Sequence, residues 1–432
     1  MRVFTSLALL VCVSGVGRVT AIGQQTPIPP PPTNLPSHPF FIKKTWTIGG
    51  VGNWDYMTID PTARELFIAH GPTVQVVDVD SGTVVGTVRG FQQAHAVVLG
   101  RDGTQGYATD GQAALVRIFD RRSFKVVANI PTGPAPRSMV FESSSGLLFV
   151  IGAQPSSREE PKRARTGAAA RIANATPHGA ESSVTVIDVE HRAALAELVI
   201  PGDLGFAQSD GDGRVYVTVR DRNQIIRLDA QAIGNVLHRI LGASAKTMPL
   251  PNPVNATAGT PRIPVLNWFS DGAKTPPVEA LPYALNLGSI CEGPRALAID
   301  ANHSRLFAAC SNFRMVVLDP QTGGIISALP IGPGPDAIVY DANRGLIFTA
   351  NGAGDGSVTI IRQDVTDTYS VTQTLPTRQH ARTLAIDPSS GNVYLTSIIS
   401  GAGMNTPMTN GRPAPLKVSP IDSSFQVLVV GN

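Results

Sequence analysis

The sequence predicts an all-β fold, a seven-bladed β-propeller of four-stranded antiparallel blades, the last closed by the N-terminal strand. Three observations predict it. A hairpin-like unit recurs seven times; most copies are followed by a third and a fourth apolar run; and the repeat array opens on a lone strand and ends on a unit lacking one. Self-similarity at a fixed period, with four strands per repeat, is the mark of propeller blades.

The units are DYMTIDPTARELFIAH from Asp55, HAVVLGRDGTQGYATD from His95, RSMVFESSSGLLFVIG from Arg137 and GFAQSDGDGRVYVTVR from Gly205. RALAIDANHSRLFAAC from Arg295, DAIVYDANRGLIFTAN from Asp336 and RTLAIDPSSGNVYLTS from Arg382 complete the set. Each places a turn of Asp, Pro, Asn, Ser or Gly between two apolar runs, which is a β-hairpin signature. Third runs such as VQVVDVD, VTVIDVE and MVVLDPQ follow, then fourth runs ending in Gly, such as VVANIPTG and IISALPIG. Ile42 to Gly50 (IKKTWTIGG) reads as a fourth strand with no blade ahead of it. Phe425 to Val430 (FQVLVV) reads as the third strand of the last unit. Pairing the two closes the ring and removes an exposed sheet edge.

Two spacings are long: 68 residues from Arg137 to Gly205 and 90 from Gly205 to Arg295. The first excess is the Ala- and Arg-rich stretch Gln154 to Glu181. The second has room for an eighth blade, but Gly242 to Val278 is rich in Pro, Asn, Ala and Thr without paired strands, which favours seven blades with insertions. The propeller is expected over 41–432, with insertions near 154–181, 241–280 and 400–424.

Arg2, the uncharged apolar run Val3 to Val16 and the small-residue site Val19-Thr20-Ala21 read as a signal peptide over 1–21. Leu9-Leu10-Val11-Cys12 has a lipoprotein-like outline, but Val11 is large for the residue before a lipidated cysteine. A proline-rich linker, 22–40, follows. No other run approaches a membrane span. The expectation is a secreted, periplasmic or extracellular monomer. Its two remaining cysteines, Cys291 and Cys310, then form one disulfide, buried free thiols being the alternative. They lie nine residues before and ten after Asp300, at the same end of two antiparallel neighbours.

The D-P and D-A-N turns, V-x-V-I-D third strands and I-P-x-G exits resemble the YVTN-repeat propellers related to the YncE family of exported bacterial proteins. Cys291-Glu292-Gly293-Pro294 ahead of ALAID, Cys310 closing FAAC and the final VLVVG add to the resemblance, which covers about 41–432 apart from the insertions. It implies an exported bacterial propeller of loosely defined function and brings no catalytic motif.

Candidate site residues follow from the repeat. The innermost strand of each blade lines the channel, so the residue five before each turn falls at one mouth. That selects Asp55, His95, Arg137, Gly205, Arg295, Asp336 and Arg382: three Arg, two Asp and one His around one axis. Guanidinium groups match carboxylate or phosphate, so the ring fits a small anionic ligand, peptide or glycan. The alternative is mutual neutralisation with water between. A second ring, His70, Asp110, Gly152, Arg220, Cys310, Asn351 and Ser397, closes the second strands at the same end. It brings His70, His95 and Asp110 within reach of a shared metal, although no close-spaced ligand motif supports one.

Met404 and Met408 read as incidental loop residues. Arg158, Lys162, Arg163, Arg165 and Arg171 read as a solvated surface excursion or a docking loop. Gly352-Ala353-Gly354-Asp355-Gly356 lacks a following helix and reads as a turn. A net charge of +3, evenly spread, is unlike a nucleic-acid binder. No hydrolase, zinc-protease, P-loop or dinucleotide motif occurs in its required context. The sequence therefore predicts a binding or scaffold module with no assigned cofactor, metal or catalytic residue. The alternative is a lactonase- or hydrolase-like propeller using His95 as base with Arg137 or Arg295 at an oxyanion.

Overall fold

Second strands such as Leu66-Phe67-Ile68-Ala69 carry apolar side chains on both faces, and a sheet with two apolar faces needs a neighbour on each. A computed structural model of the chain shows how that need is met. It describes residues 38–50, 52–153, 180–241, 265–266, 282–365, 367–398, 408–409, 412–413 and 425–432. Seven antiparallel sheets stand in a ring, each with four meandering strands. Leu66 and Ile68 pack into the seam with the last blade, whereas Phe67 and Ala69 pack into the seam with the second. Among the described residues the core is divided into seven such seams, one between each pair of adjacent blades.

The acidic residue that ends most of the first strands fixes the turn that follows. Asp60 Oδ1 accepts from the backbone N–H of Thr62 at 2.8 Å and of Ala63 at 2.9 Å. Asp341 and Asp387 do the same for Asn343 and Ser389, each at 3.0 Å. These are Asx turns, the reason the motif reads D-P or D-A-N.

The last blade is built from both ends of the described chain. Phe41–Thr47 pairs antiparallel with Phe425–Gly431, from Phe41 opposite Gly431 to Thr47 opposite Gln426. Trp46 stacks on Tyr394 with centroids 5.6 Å apart. Gly82 (φ +74°) passes so close beneath the indole that a Cβ would come within 2.3 Å of it. Phe40 is buried ahead of this strand, edge-on to Phe348 at 5.2 Å.

The 241–280 insertion separates the third and fourth strands of blade four, Gln224–Asp229 and Tyr283–Asn286. The chain enters it from an element absent from the sequence expectation, a helix over Ala230–Leu241. Asp229 caps it, accepting from Ala232 N–H at 2.8 Å. Ile233, Val236 and Leu237 bury into the seam of blades three and four. Val265–Leu266 adds a short parallel strand outside blade three. The expected signal peptide, most of the linker, nearly all of the 154–181 insertion and most of 400–424 lie outside the described residues. Among the described residues no helix is long and apolar enough to cross a membrane.

Candidate functional site

Six of the innermost strands begin with the same irregularity. The pairing register slips between Trp54 and Met57, Ala94 and Val97, Pro136 and Ser138, Leu204 and Ala207, Pro294 and Ala296, and Pro335 and Ala337. Asp55, His95, Arg137, Gly205, Arg295 and Asp336 sit in these bulges, and Arg382 lies just ahead of the seventh strand, Leu384–Ile386. A bulge leaves a residue outside the ladder and re-aims its side chain. The device is repeated around the axis, so it gathers charged groups at one mouth.

His95 Nδ1 lies 2.7 Å from Asp55 Oδ2. Arg295 Nη1 is 3.9 Å from Asp336 Oδ1, and its Nε donates to Ser311 Oγ at 3.1 Å. Arg382 donates to the Trp54 carbonyl at 2.9 Å and lies over the Trp54 ring at 4.9 Å. Gly205 leaves a gap that Arg220 fills from the end of the second strand: a Cβ at 205 would lie 3.6 Å from Arg220 Cδ. Arg220 itself grips Asp203 through contacts of 3.0 and 2.6 Å. Arg137 is exposed and makes no hydrogen bond or ion pair among the described residues.

The floor of this cup is aromatic. Tyr56 of blade one meets Phe206 of blade four edge-on, centroids 5.3 Å apart, so the two rings cross the axis just inside the charged residues. Behind them the channel is a cavity of about 380 Å³ lined mainly by apolar side chains such as Val97, Met139 and Ile338. Burial raises the Tyr56 phenol above its ordinary value, and the Asp55 and Asp336 carboxylates push it further, opposed by Arg220 and Arg137. Burial also raises the Asp336 carboxyl, against Arg382 and Arg295. Beside it a second cavity of about 420 Å³ opens between Arg295, Asp336, His380 and Arg382. Burial and the Arg382 charge push the His380 imidazole down.

The second ring reaches the same end but turns away from the axis, and the structure does not bring His70, His95 and Asp110 together. His70 is buried, with Nδ1 2.7 Å from Gln75 Oε1 and Nε2 3.2 Å from the Gly52 carbonyl. Asp110 accepts from the backbone N–H groups of Gln92 and Gln93, each at 3.0 Å, and pairs with Arg117 at 2.8 Å. Arg220 ties down Asp203, and Cys310 is disulfide-bonded to Cys291 with Cα atoms 5.2 Å apart. Four of the seven positions thus do one job by different chemistry, fastening the loop that leads into their own blade. Among the described residues no three His, Cys, Asp or Glu side chains form a metal group. Met404 and the basic residues of 158–171 lie outside the described residues.

No family model matches the chain, and no curated protein matches it in sequence. Solved structures match over nearly its whole length. The WD40 repeats of RRP9 superpose with a TM-score of 0.59 at 9% identity, covering 91% of this chain and 97% of that one. U3-55K gives 0.57 at 8%, covering 91% and 99%. A chain of a mitotic checkpoint complex gives 0.56 at 13%, covering 88% and 95%. The likeness establishes the fold alone. At such identities none of the ring residues can be matched to a role elsewhere, and the site stands on its own geometry.

Sequence reasoning missed Tyr56, Phe206 and Asp203 as parts of the cup, and placed Arg220 in the second ring rather than in the gap at Gly205. The signal for the first two was present: each is the aromatic residue directly after a ring position. Asp203, the partner of Arg220, had no such signal.

Proposed function

We propose that this chain is an exported binding module whose charged mouth holds a small ligand bearing an anionic group, free or carried on a peptide or glycan. The observation that supports the reading is the repeated bulge, which carries Arg137, Arg295 and Asp336 at the starts of innermost strands around the Tyr56–Phe206 pair. A rigid scaffold presenting polar groups at a concave mouth is the usual form of a small-ligand site. Export is supported by the disulfide, which persists in oxidising compartments. It also agrees with the signal-like first residues and with the resemblance to YVTN-repeat, YncE-like propellers. The evenly spread charge favours a ligand of this kind over nucleic acid. Calorimetric titration with phosphate, short carboxylates and acidic peptides tests the reading. Arg295→Ala is expected to weaken the best ligand by about tenfold to a hundredfold, the worth of a charge-assisted hydrogen bond. Unchanged affinity removes Arg295 from the site.

A second reading, a lactonase- or hydrolase-type enzyme, is favoured by one contact. The Asp55–His95 hydrogen bond fixes the imidazole, as a general base requires. Against it, the Nε2 side of that ring packs on Gly111, where a Cβ would lie 2.7 Å away. Lactone and ester hydrolysis abolished by His95→Ala would favour the enzyme.

A further inference from the structure

The charges of the cup are not equally committed. Asp55 is bound to His95, Arg220 to Asp203, Arg382 to Trp54, and Arg295 to Ser311. Two remain. Arg137 makes no hydrogen bond or ion pair among the described residues. Asp336 makes no hydrogen bond among them; it has only a loose ion pair with Arg295 at 3.9 Å and feels the Arg382 charge at longer range. Arg137 belongs to blade three and Asp336 to blade six of seven, so they face each other across the axis. Tyr56 lies between them on the floor, close enough for both charges to act on its phenol. The 420 Å³ cavity runs along the Asp336 side, giving a ligand that spans the cup room to reach it.

From this we infer that the mouth is built for a zwitterion: a small molecule whose carboxylate meets Arg137 while its ammonium group meets Asp336. The inference rests on the small-ligand reading above and narrows it. A purely anionic ligand answers Arg137 but is repelled by the Asp336 and Asp55 carboxylates, and it leaves Asp336 with only its loose contact to Arg295. A ligand with both charges gives Arg137 its first partner and Asp336 a closer one, and needs no rearrangement of the four hydrogen-bonded pairs. The required ligand is therefore an amino-acid-like chain, with the spacing between its charges set by the width of the cup.

The test is calorimetric titration of the purified full chain with glycine, 4-aminobutanoate and 6-aminohexanoate. Acetate, butanoate and hexanoate are the matched carboxylates. One zwitterion is expected to bind about tenfold or more tighter than its carboxylate, the worth of an ionic hydrogen bond. Asp336→Asn, and Asp336→Ser as a second variant, should remove that preference while leaving carboxylate affinity intact or improved. Arg137→Gln should weaken both ligands. Thermal melts of each variant establish that it is folded. If carboxylates bind as tightly as zwitterions, or if the preference survives both Asp336 substitutions, the inference fails and the anion reading stands. If the folded wild-type chain binds neither zwitterion nor carboxylate, the small-ligand reading falls and the inference falls with it.

Discussion

Asp387, at the end of the closing blade remote from the cup, has a side chain with no exposed surface. It accepts from the Ser389 N–H at 3.0 Å, from the hydroxyls of Ser389 and Ser390 at 2.6 and 2.7 Å, and from Arg64 of blade one at 2.5 Å. Burial by itself raises its carboxyl, but the hydrogen bonds from Ser389, Ser390 and Arg64 outweigh burial and hold it well below the usual carboxylate range. The unfolded chain therefore binds this proton more readily than the folded one. The stabilisation is complete above the unfolded value of about 4 and is lost as pH falls through the lower folded value. Asp387→Asn is expected to cost about 2–3 kcal/mol at neutral pH, since it sets amide hydrogens against existing donors and strips Arg64 of a buried partner. Urea denaturation at pH 7, 4 and 3 should show the variant losing less stability on acidification than wild type; parallel losses would refute the role. At this scale the sequence carried positions better than partners. Pseudo-rotational symmetry turns a fixed offset into a common place, so the seven ring positions were legible. Which way a side chain turns at the last rung is not recorded by apolar alternation, so His70 and Asp110 were expected within reach of His95 and instead turn to the loops beside them.

The Cys291–Cys310 bond joins the loop leading into blade five to the end of its second strand, across 19 residues. It also frames Arg295, since Ser311, next to Cys310, accepts from the guanidinium and donates to the Gly293 carbonyl at 2.9 Å. A loop of this size stabilises by about 3 kcal/mol in the chain-entropy description. The double variant Cys291→Ala with Cys310→Ala should lower the unfolding free energy by about that amount. A change within error would mean that blade five is held by its apolar seams alone. Strands were legible because each must be apolar on both faces or follow an Asx turn. The helix Ala230–Leu241 was not, although Ile233, Val236 and Leu237 have helical spacing. Its pattern runs directly out of the strand ending at Asp229, and the period changes without a Gly or Pro to mark it. Blade four's fourth strand was missed for a different reason. It pairs with a partner far away in sequence, as in the side-chain bond from Gln224 to Asn286 across 62 positions.

Over the whole molecule the seven seams repeat one packing solution, while closure of the ring depends on a single non-repeating pair of strands. Gln426 donates to Thr47 at 2.9 Å across 379 positions. Because the pair is antiparallel, Phe41 and Gly431 sit at the same end of the ladder. Tension applied to those two residues opens the pair like a zipper, breaking one rung at a time. Tension applied between Thr47 and Gly431 loads the same rungs in shear, all at once. Optical-trap measurements with handles at each pair of positions should give a clearly lower opening force for the first geometry than for the second; equal forces would mean that this ladder is not what resists opening. A molecule held by its N-terminal segment alone takes the drag of a moving fluid at Phe41, so the load enters the ring at the end rung of that ladder.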